Sequence, residues 1–470
     1  MTGQAPGAEL PEEAPPNAGP PSAGPPPNAS PPNAGPLQIA LLTYSTKPRG
    51  GVVHTLALAE ALAAAGQDVT VWTLGRDGDH GFFRPVDRRV RQRVVPFPET
   101  GGEAVGPRIL RSIAVLRDAF DGSAYDIVHA QDCISANAAG RCVRTVHHLD
   151  HFTTPELAAC HERAITEPYA HVCVSAAVAA ELRAGWGLEA TVIPNGVDAA
   201  RFAAAAGPGA AVVAARRGWR DRLGRYVLAV GGIEPRKGSL ELLEAYALLA
   251  RERPDVRLVM AGGETLFDYR DYRAAWEQRA RELGVTPEVL GPVPEPDLPS
   301  LVAAAGVFAF PSTREGFGLA AMEALAAGVP VVASDLRVLR EVLGGAARYA
   351  SDPGGFAAAL GDALDRLDPA SCAAGLAVAA RYTWPAAAAA HLDFYHSLLA
   401  GTAPPANLSP RRDRTSGLPW SVCAAGGAEQ TTVTAGGRWA SALTVAAVPA
   451  PSCARGRRRR SCGRGPWSSA

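Results

Sequence analysis

No two of the eight cysteines are spaced C-x-x-C, and no pairing of them has the spacing of a zinc site. That excludes a thiolate-held structural metal and leaves free thiols in a reducing compartment as the expectation. The body of the chain lacks a run of 18 or more uncharged apolar residues, so no transmembrane helix is expected. The N-terminus lacks a charged start followed by an apolar run, so no secretory signal is expected either. Net charge is missing too, with 46 basic against 46 acidic residues. The balance is uneven, because residues 1–36 carry three Glu and no Lys or Arg, while residues 401–470 carry ten Arg against one Asp and one Glu. The part between is mildly acidic, which argues against a dedicated nucleic-acid binder. Three familiar signatures are absent: the P-loop G-x-x-x-x-G-K-[ST], the dinucleotide fingerprint G-x-G-x-x-G, and the zinc motif H-E-x-x-H.

What is present is enough apolar sequence for a large fold. The 470 residues suffice for two or three domains, and 47% hydrophobic with 20% charged content is that of an ordinary soluble globular protein. Residues 1–36 repeat Pro, Gly, Ala and Asn and cannot bury enough surface to offset their ordering entropy, so they read as a disordered tail. From Leu37 to Pro194 short apolar strands alternate with helical stretches. A second such series starts at Arg225 and runs to about residue 383, and the Ala-, Gly-, Pro- and Val-rich stretch 203–215 between them reads as a linker. This predicts an α/β protein of two Rossmann-like, doubly wound domains, 37–205 and 206–383, closed by a C-terminal helix over 384–400. Residues 401–470, with Arg457 to Arg460 in one run, read as a disordered or dispensable extension in preference to a basic nucleic-acid or membrane tail. In doubly wound folds ligands bind beyond the carboxyl ends of the strands. Gly50 and Gly51, His129, His147, Asn195, Gly231, Gly262 and Gly263, and Glu315 all follow strands, so they can meet in one inter-domain cleft.

Four segments there could carry chemistry. Gly231-Gly-Ile-Glu-Pro-Arg-Lys-Gly238 joins a strand to a helix, so helix-start N–H groups with Arg236 and Lys237 can cradle a diphosphate; a solvated basic turn is the plain alternative. Pro48-Arg-Gly-Gly51 lets the backbone approach a phosphate, although a tight turn needs glycine anyway. His147-His148-Leu-Asp-His151 suits a histidine hydrogen-bonding a ligand hydroxyl or phosphate better than a metal site. Asp77-Gly-Asp79 is set aside as an acidic turn. The most specific feature is the carboxylate pair Glu315 and Glu323, separated by seven residues across a Gly-Phe-Gly turn that opens an apolar helix. Helix geometry does not put both on one spot, so the two have different tasks.

Together these residues resemble the retaining glycosyltransferases of family 4, which have the GT-B fold. Glu315-Gly-Phe-Gly-Leu-Ala-Ala-Met-Glu323 matches the family's E-x7-E motif, and Asn195-Gly-Val-Asp198, Lys237-Gly238 and Gly328-Val-Pro-Val-Val-Ala-Ser334 match further parts of its pattern. The resemblance spans about residues 37–400. It implies that Lys237 binds the donor diphosphate, that Glu315 lies at the donor sugar hydroxyls, and that Glu323 accepts from the ribose hydroxyls. It also implies that Gly50 and Gly51 line the phosphate or acceptor region, with His147 beside the reacting centre. Gly316, Phe317, Gly318 and Leu319 belong to the donor loop, the last three offering backbone N–H groups to the diphosphate. One departure stands out: the family's Arg five positions before the Lys is Gly232 here, and Arg236 is the residue placed to supply that charge.

The resulting expectation is a hexosyltransferase-type enzyme. It would move a sugar from a nucleotide-diphosphate sugar to an acceptor hydroxyl with retention, without a metal and with no cofactor beyond the donor substrate. His147, Glu315, Lys237 and Arg236 are the candidate catalytic residues. An epimerase or phosphorylase on the same fold, or a non-catalytic sugar-nucleotide-binding protein, are the alternatives. The acceptor is a small molecule, glycan or lipid. The expected location is cytoplasmic. The helix Arg108 to Arg117 admits peripheral contact with an anionic membrane, but a domain-face helix is the preferred reading.

Overall fold

The computed structural model describes residues 35–401 except 77, 99, 151–153, 263–268 and 367. The expectations for both tails, and for Asp77, His151 and Gly263, fall outside the described residues.

Among the described residues thirteen strands form two wholly parallel sheets. The first holds β1 (Gln38–Leu42), β2 (Asp68–Arg76), β3 (Arg91–Phe97), β4 (Ile127–Ala130), β5 (Val143–Val146), β6 (Ala170–Cys173) and β7 (Thr191–Val192), in the order β3-β2-β1-β4-β5-β6-β7. The second holds β8 (Arg225–Val230), β9 (Val256–Ala261), β10 (Glu288–Gly291), β11 (Val307–Phe310), β12 (Val331–Ser334) and β13 (Ala347–Ala350), in the order β10-β9-β8-β11-β12-β13. Central strands such as β5 and β11 are buried along their whole length, as parallel strands covered by helices on both faces must be. This is the two-domain doubly wound α/β architecture read from the alternation.

In each sheet the strand order reverses once, between β1 and β4 and between β8 and β11. Loops leaving the carboxyl ends of such neighbours diverge to opposite faces and open a crevice between them. The reversal in the second sheet places the loop 231–238 beside the loop 311–318, although they lie far apart in sequence. The two are knitted by the Thr313 N–H donating to the Arg236 carbonyl at 2.9 Å. Gly238, in the left-handed region at φ 61°, packs so close to the Pro311 carbonyl that no Cβ fits.

Two expectations need correction. The stretch read as a linker is mostly helical, forming Ala199–Ala206 and Ala210–Leu223 with a break at Gly207-Pro208-Gly209. Alanine has the highest helix propensity, and Asp198 caps the first helix by accepting from the Arg201 N–H at 3.2 Å. A helix was also missed at Pro369–Arg381, where Asp368 caps the start by accepting from the Ala370 N–H. The helix Gly50–Ala64 takes both glycines into its first turn.

The closing helix Trp384–Leu399 forms where expected but packs on the first sheet, with Tyr395 and Ala388 in the same core as Ile39, Leu41 and Leu56. The helix Val105–Ala119, weighed as a membrane contact, turns Ile109, Ile113 and Leu116 inward. Its Arg111 pairs with Glu103 at 2.6 Å. Among the described residues no helix is long and apolar enough to cross a membrane.

Candidate active site

On the second domain's side, Lys237 Nζ donates to Glu315 Oε2 at 2.9 Å, while Arg236 lies 3.7 Å from the same oxygen and 3.2 Å from Glu234. The Ser312 hydroxyl donates to Glu315 as well, at 3.3 Å. The Glu315 side chain is only 13% exposed. Burial pushes its acidity toward the neutral form, but Lys237 and Arg236 overcome that and hold the carboxyl down at about 2. Glu315 is therefore an ionised, hydrogen-bonded acceptor with its charge already spread over two cations.

The helix Leu319–Ala326 starts directly after this group. Its N-cap is Gly318 at φ 93°, with no side-chain cap, so its first N–H groups have no intrahelical partner. Phe317 is buried edge-on against Tyr382, which sets the entry angle of that helix. Glu323 lies on this helix, away from the Lys237 group. Burial, then Asp198 and Glu295, raise its carboxyl to about 7 against the opposing pull of Arg201. The two carboxylates thus differ by several units in acidity, one fixed as an anion and one poised near neutrality.

The first domain contributes His147, at the end of β5. Its carbonyl meets Gly316 so closely that a Cβ there would run into it. Gly51 packs on the ring, where a Cβ would sit 3.7 Å from Cδ2. The His147 ring meets His54 edge-on at 4.7 Å between centroids, and its Nε2 is buried with no hydrogen-bond partner. His54 is anchored by its Nδ1 to the Asn195 Oδ1 at 2.9 Å, and packs against Trp384 at 5.5 Å. His129 continues this layer, bonding the Tyr395 hydroxyl at 2.6 Å and the Thr145 hydroxyl at 2.7 Å. Gly50, by contrast, is exposed, and a Cβ added there would meet nothing within 4 Å. His148 pairs with Asp150 at 3.2 Å.

Burial holds these histidines neutral: His147 down at about 3, His391 at about 4, and His54 and His129 well below the ordinary 6.5. An unfolded chain would take up these protons below pH 6.5 while the folded chain would not. Their stability contribution is present above pH 6.5 and is lost as pH falls toward the folded values. Each group can remove up to about 1.4 kcal/mol per pH unit in that window. The melting temperature is expected to drop steeply between pH 6.5 and 4.5, and His391→Phe is expected to flatten that slope in a melting series. A pH-independent melting temperature over that range would contradict it.

The structure brings Lys237, Arg236, Glu315 and the start of the Leu319–Ala326 helix into one group, and sets His147 and Gly51 against it through Gly316. Sequence reasoning missed His54, the surroundings of Glu323, and the mutual neutralisation of Lys237 and Glu315. One signal was available: the chain has only two lysines, Lys47 and Lys237, all other cationic side chains being arginine. A lysine kept in so arginine-rich a chain marks a position where a compact point charge is needed. Among the described residues no three His, Cys, Asp or Glu side chains are gathered as a metal site would need.

Comparison with known proteins shows the family and the fold. Residues 220–367 match the family described as glycosyl transferases group 1, and residues 48–201 match glycosyltransferase family 4. The phosphatidyl-myo-inositol mannosyltransferase of Mycobacterium tuberculosis is 31% identical over 389 residues, covering 77% of this chain and 96% of its own. The D-inositol 3-phosphate glycosyltransferase of Corynebacterium urealyticum is 30% identical over 310 residues, covering 59% of this chain and 72% of its own. Among solved structures, the sucrose-phosphate synthase of Thermosynechococcus elongatus superimposes with a TM-score of 0.62 at 21% identity, over 78% of this chain and 100% of that one. Anabaena HepE, in complex with UDP and glucose, does so at 0.59 and 19%, over 77% and 99%. These two share the fold. The chain belongs to the family 4 (group 1) glycosyltransferases and has their GT-B fold.

Proposed function

We propose that this glycosyltransferase moves a hexose from a nucleotide-diphosphate sugar to an acceptor hydroxyl with retention of configuration and without a metal ion. The observation that carries this reading is the Lys237–Glu315 contact of 2.9 Å at the switch point of the second sheet, with Arg236 alongside and the His147 carbonyl of the first domain resting on Gly316. As the bond from the sugar C1 to the β-phosphate oxygen breaks, its electron pair leaves with the phosphate. Lys237, Arg236 and the N–H groups at the start of the Leu319–Ala326 helix supply fixed positive charge for that oxygen. The acceptor oxygen forms its bond to C1 on the same face, and its proton passes to the departing phosphate. Glu315, held at about 2 by its cations, is a poor nucleophile, so it serves to orient donor hydroxyls and not to form a glycosyl-enzyme.

Glu323 would accept from the nucleotide ribose in its ionised form. Since it titrates at about 7, donor affinity is expected to weaken roughly tenfold between pH 8 and pH 6, and Glu323→Gln to remove that dependence. Calorimetric donor titration at both pH values would check this, and an unchanged pH profile in the variant would reject it. The reading as a whole is tested by a thermal-shift screen of nucleotide sugars, followed by product analysis with and without EDTA. A product of inverted configuration, or loss of activity in EDTA, would overturn the mechanism. Donor isomerised with no acceptor present would indicate an epimerase, and release of sugar phosphate by added phosphate a phosphorylase.

A further inference from the structure

Among the described residues Arg144 is a buried cation with no counter-charge in contact. It lies in β5, 5% exposed, paired in register with Ala130 of β4 and His171 of β6. One NH2 group reaches the Cys133 sulfur at 3.7 Å, while Nε and NH1 have no hydrogen-bond partner. Cys133 lies three residues beyond Ala130, past the end of β4, so the guanidinium rises toward the carboxyl-end rim where ligands bind. Asp132 feels the Arg144 charge but makes no contact with it, its oxygens accepting instead from the Ser135 N–H at 2.8 Å and the Tyr44 N–H at 3.0 Å. Burying a cation without an anion is costly.

A second orphan stands at the same rim. Gln131, 1% exposed, follows β4 directly, and neither its Oε1 nor its Nε2 has a partner. Register puts Ala130 and Arg144 on one face of the sheet, and Gln131 with His147 on the other. The rim beside His147 therefore holds a buried, unmatched guanidinium on one side and a buried, unmatched amide on the other.

We propose that the acceptor carries a compact anionic group, a phosphate or a carboxylate, and that Arg144 is its counter-charge. This rests on the glycosyltransferase reading above and on acceptor binding by the first domain. The Nε and Nη1 groups of Arg144 lie on opposite edges of the planar guanidinium, and on either edge the second hydrogen of Nη2 completes a fork that suits bidentate capture of either anion. Gln131 takes a hydroxyl of the same molecule, which makes the acceptor a polyol or sugar acid or phosphate. Arg144 is a recognition residue and takes no part in bond making.

The test uses the full chain saturated with the nucleoside diphosphate that binds it most tightly. Inorganic phosphate, glucuronate, vesicles of an anionic phospholipid and a neutral methyl glycoside are then titrated in separate calorimetric series. Phosphate or glucuronate is expected to bind alongside the nucleotide, and Arg144→Met to weaken it at least tenfold while nucleotide affinity stays within twofold. A response to the vesicles alone would assign the anion to a lipid headgroup, and a response to the free anions to a soluble acceptor. The proposal falls if no anion binds the nucleotide-loaded wild type, or if Arg144→Met leaves anion affinity unchanged. Should Arg144→Met fail to fold, Arg144→Lys keeps the charge without the fork and is expected to retain only part of the affinity. Wild-type transfer rates for matched anionic and neutral acceptors give an independent reading, with at least a tenfold preference for the anionic one expected and equal rates overturning the proposal. Failure of every nucleotide sugar to bind would instead refute the donor reading, which Lys237 and not Arg144 carries.

Discussion

Lys237→Ala is expected to lower kcat by about 10²–10³-fold, the range seen when one preorganised donor to a developing negative charge is removed. Lys237 is the nearest full positive charge to Glu315 and is confined by Phe310, whose ring lies 5.2 Å from its Nζ. Its removal has two consequences. The leaving phosphate loses a point charge that water does not replace in a closed site. Glu315 loses its hydrogen-bonded partner and keeps only Arg236 at 3.7 Å, so its carboxyl is expected to rise from about 2. Lys237→Arg is not a conservative repair, because a planar guanidinium replaces a compact point charge and delivers its charge farther out. Rapid-quench kinetics with saturating donor would separate the chemical step from binding. A double-mutant cycle with Glu315→Gln should show strong non-additivity, since either single change strands the other partner. Full transfer activity in Lys237→Ala would refute the assignment.

Gly316→Ala is expected to cost about 10²-fold in kcat/KM while leaving each domain folded. The added Cβ would occupy the place of the His147 carbonyl, so the two domains must separate at the point where the loop 311–318 meets His147. A displacement of even about 1 Å between reacting groups is enough for a loss of this size. Because the clash lies between domains and not inside a core, melting temperature should change far less than activity. The comparison that isolates the effect is Gly218→Ala, in the helix Ala210–Leu223 away from the site, where a Cβ meets nothing within 4 Å and near-normal activity is expected. Equal activities of the two variants would show that contact between Gly316 and His147 is not required for transfer.

Much of this was legible in the chain. Alternating apolar strands and helices report a parallel sheet because both faces of each strand must be buried, and the strands from β8 to β13 appear close to where their apolar runs predict. The C-terminal helix was visible in its apolar repeat, but not which sheet it covers, since periodicity reports a buried face and never its partner. The alanine-rich stretch 203–215 misled because small residues without a strong apolar stripe suit both a linker and a helix. Glu315, Glu323 and Lys237 stood out by spacing and residue type, whereas His54 and Arg144 carry no local signal. Their meaning depends on what lies across a sheet or a domain boundary.

The sequence by itself determined the two-domain parallel α/β plan, the strand-to-helix turns that bear charge, and the family. Those properties follow from local patterning, which neighbouring residues alone encode. Only the tertiary structure decided that Lys237 neutralises Glu315, that Glu323 is held near neutrality, that Gly316 rests on His147, and that Arg144 is left without an anion. Each of those depends on residues distant in the chain meeting inside a low-dielectric interior, where distance and burial, and not residue type, set the charge state.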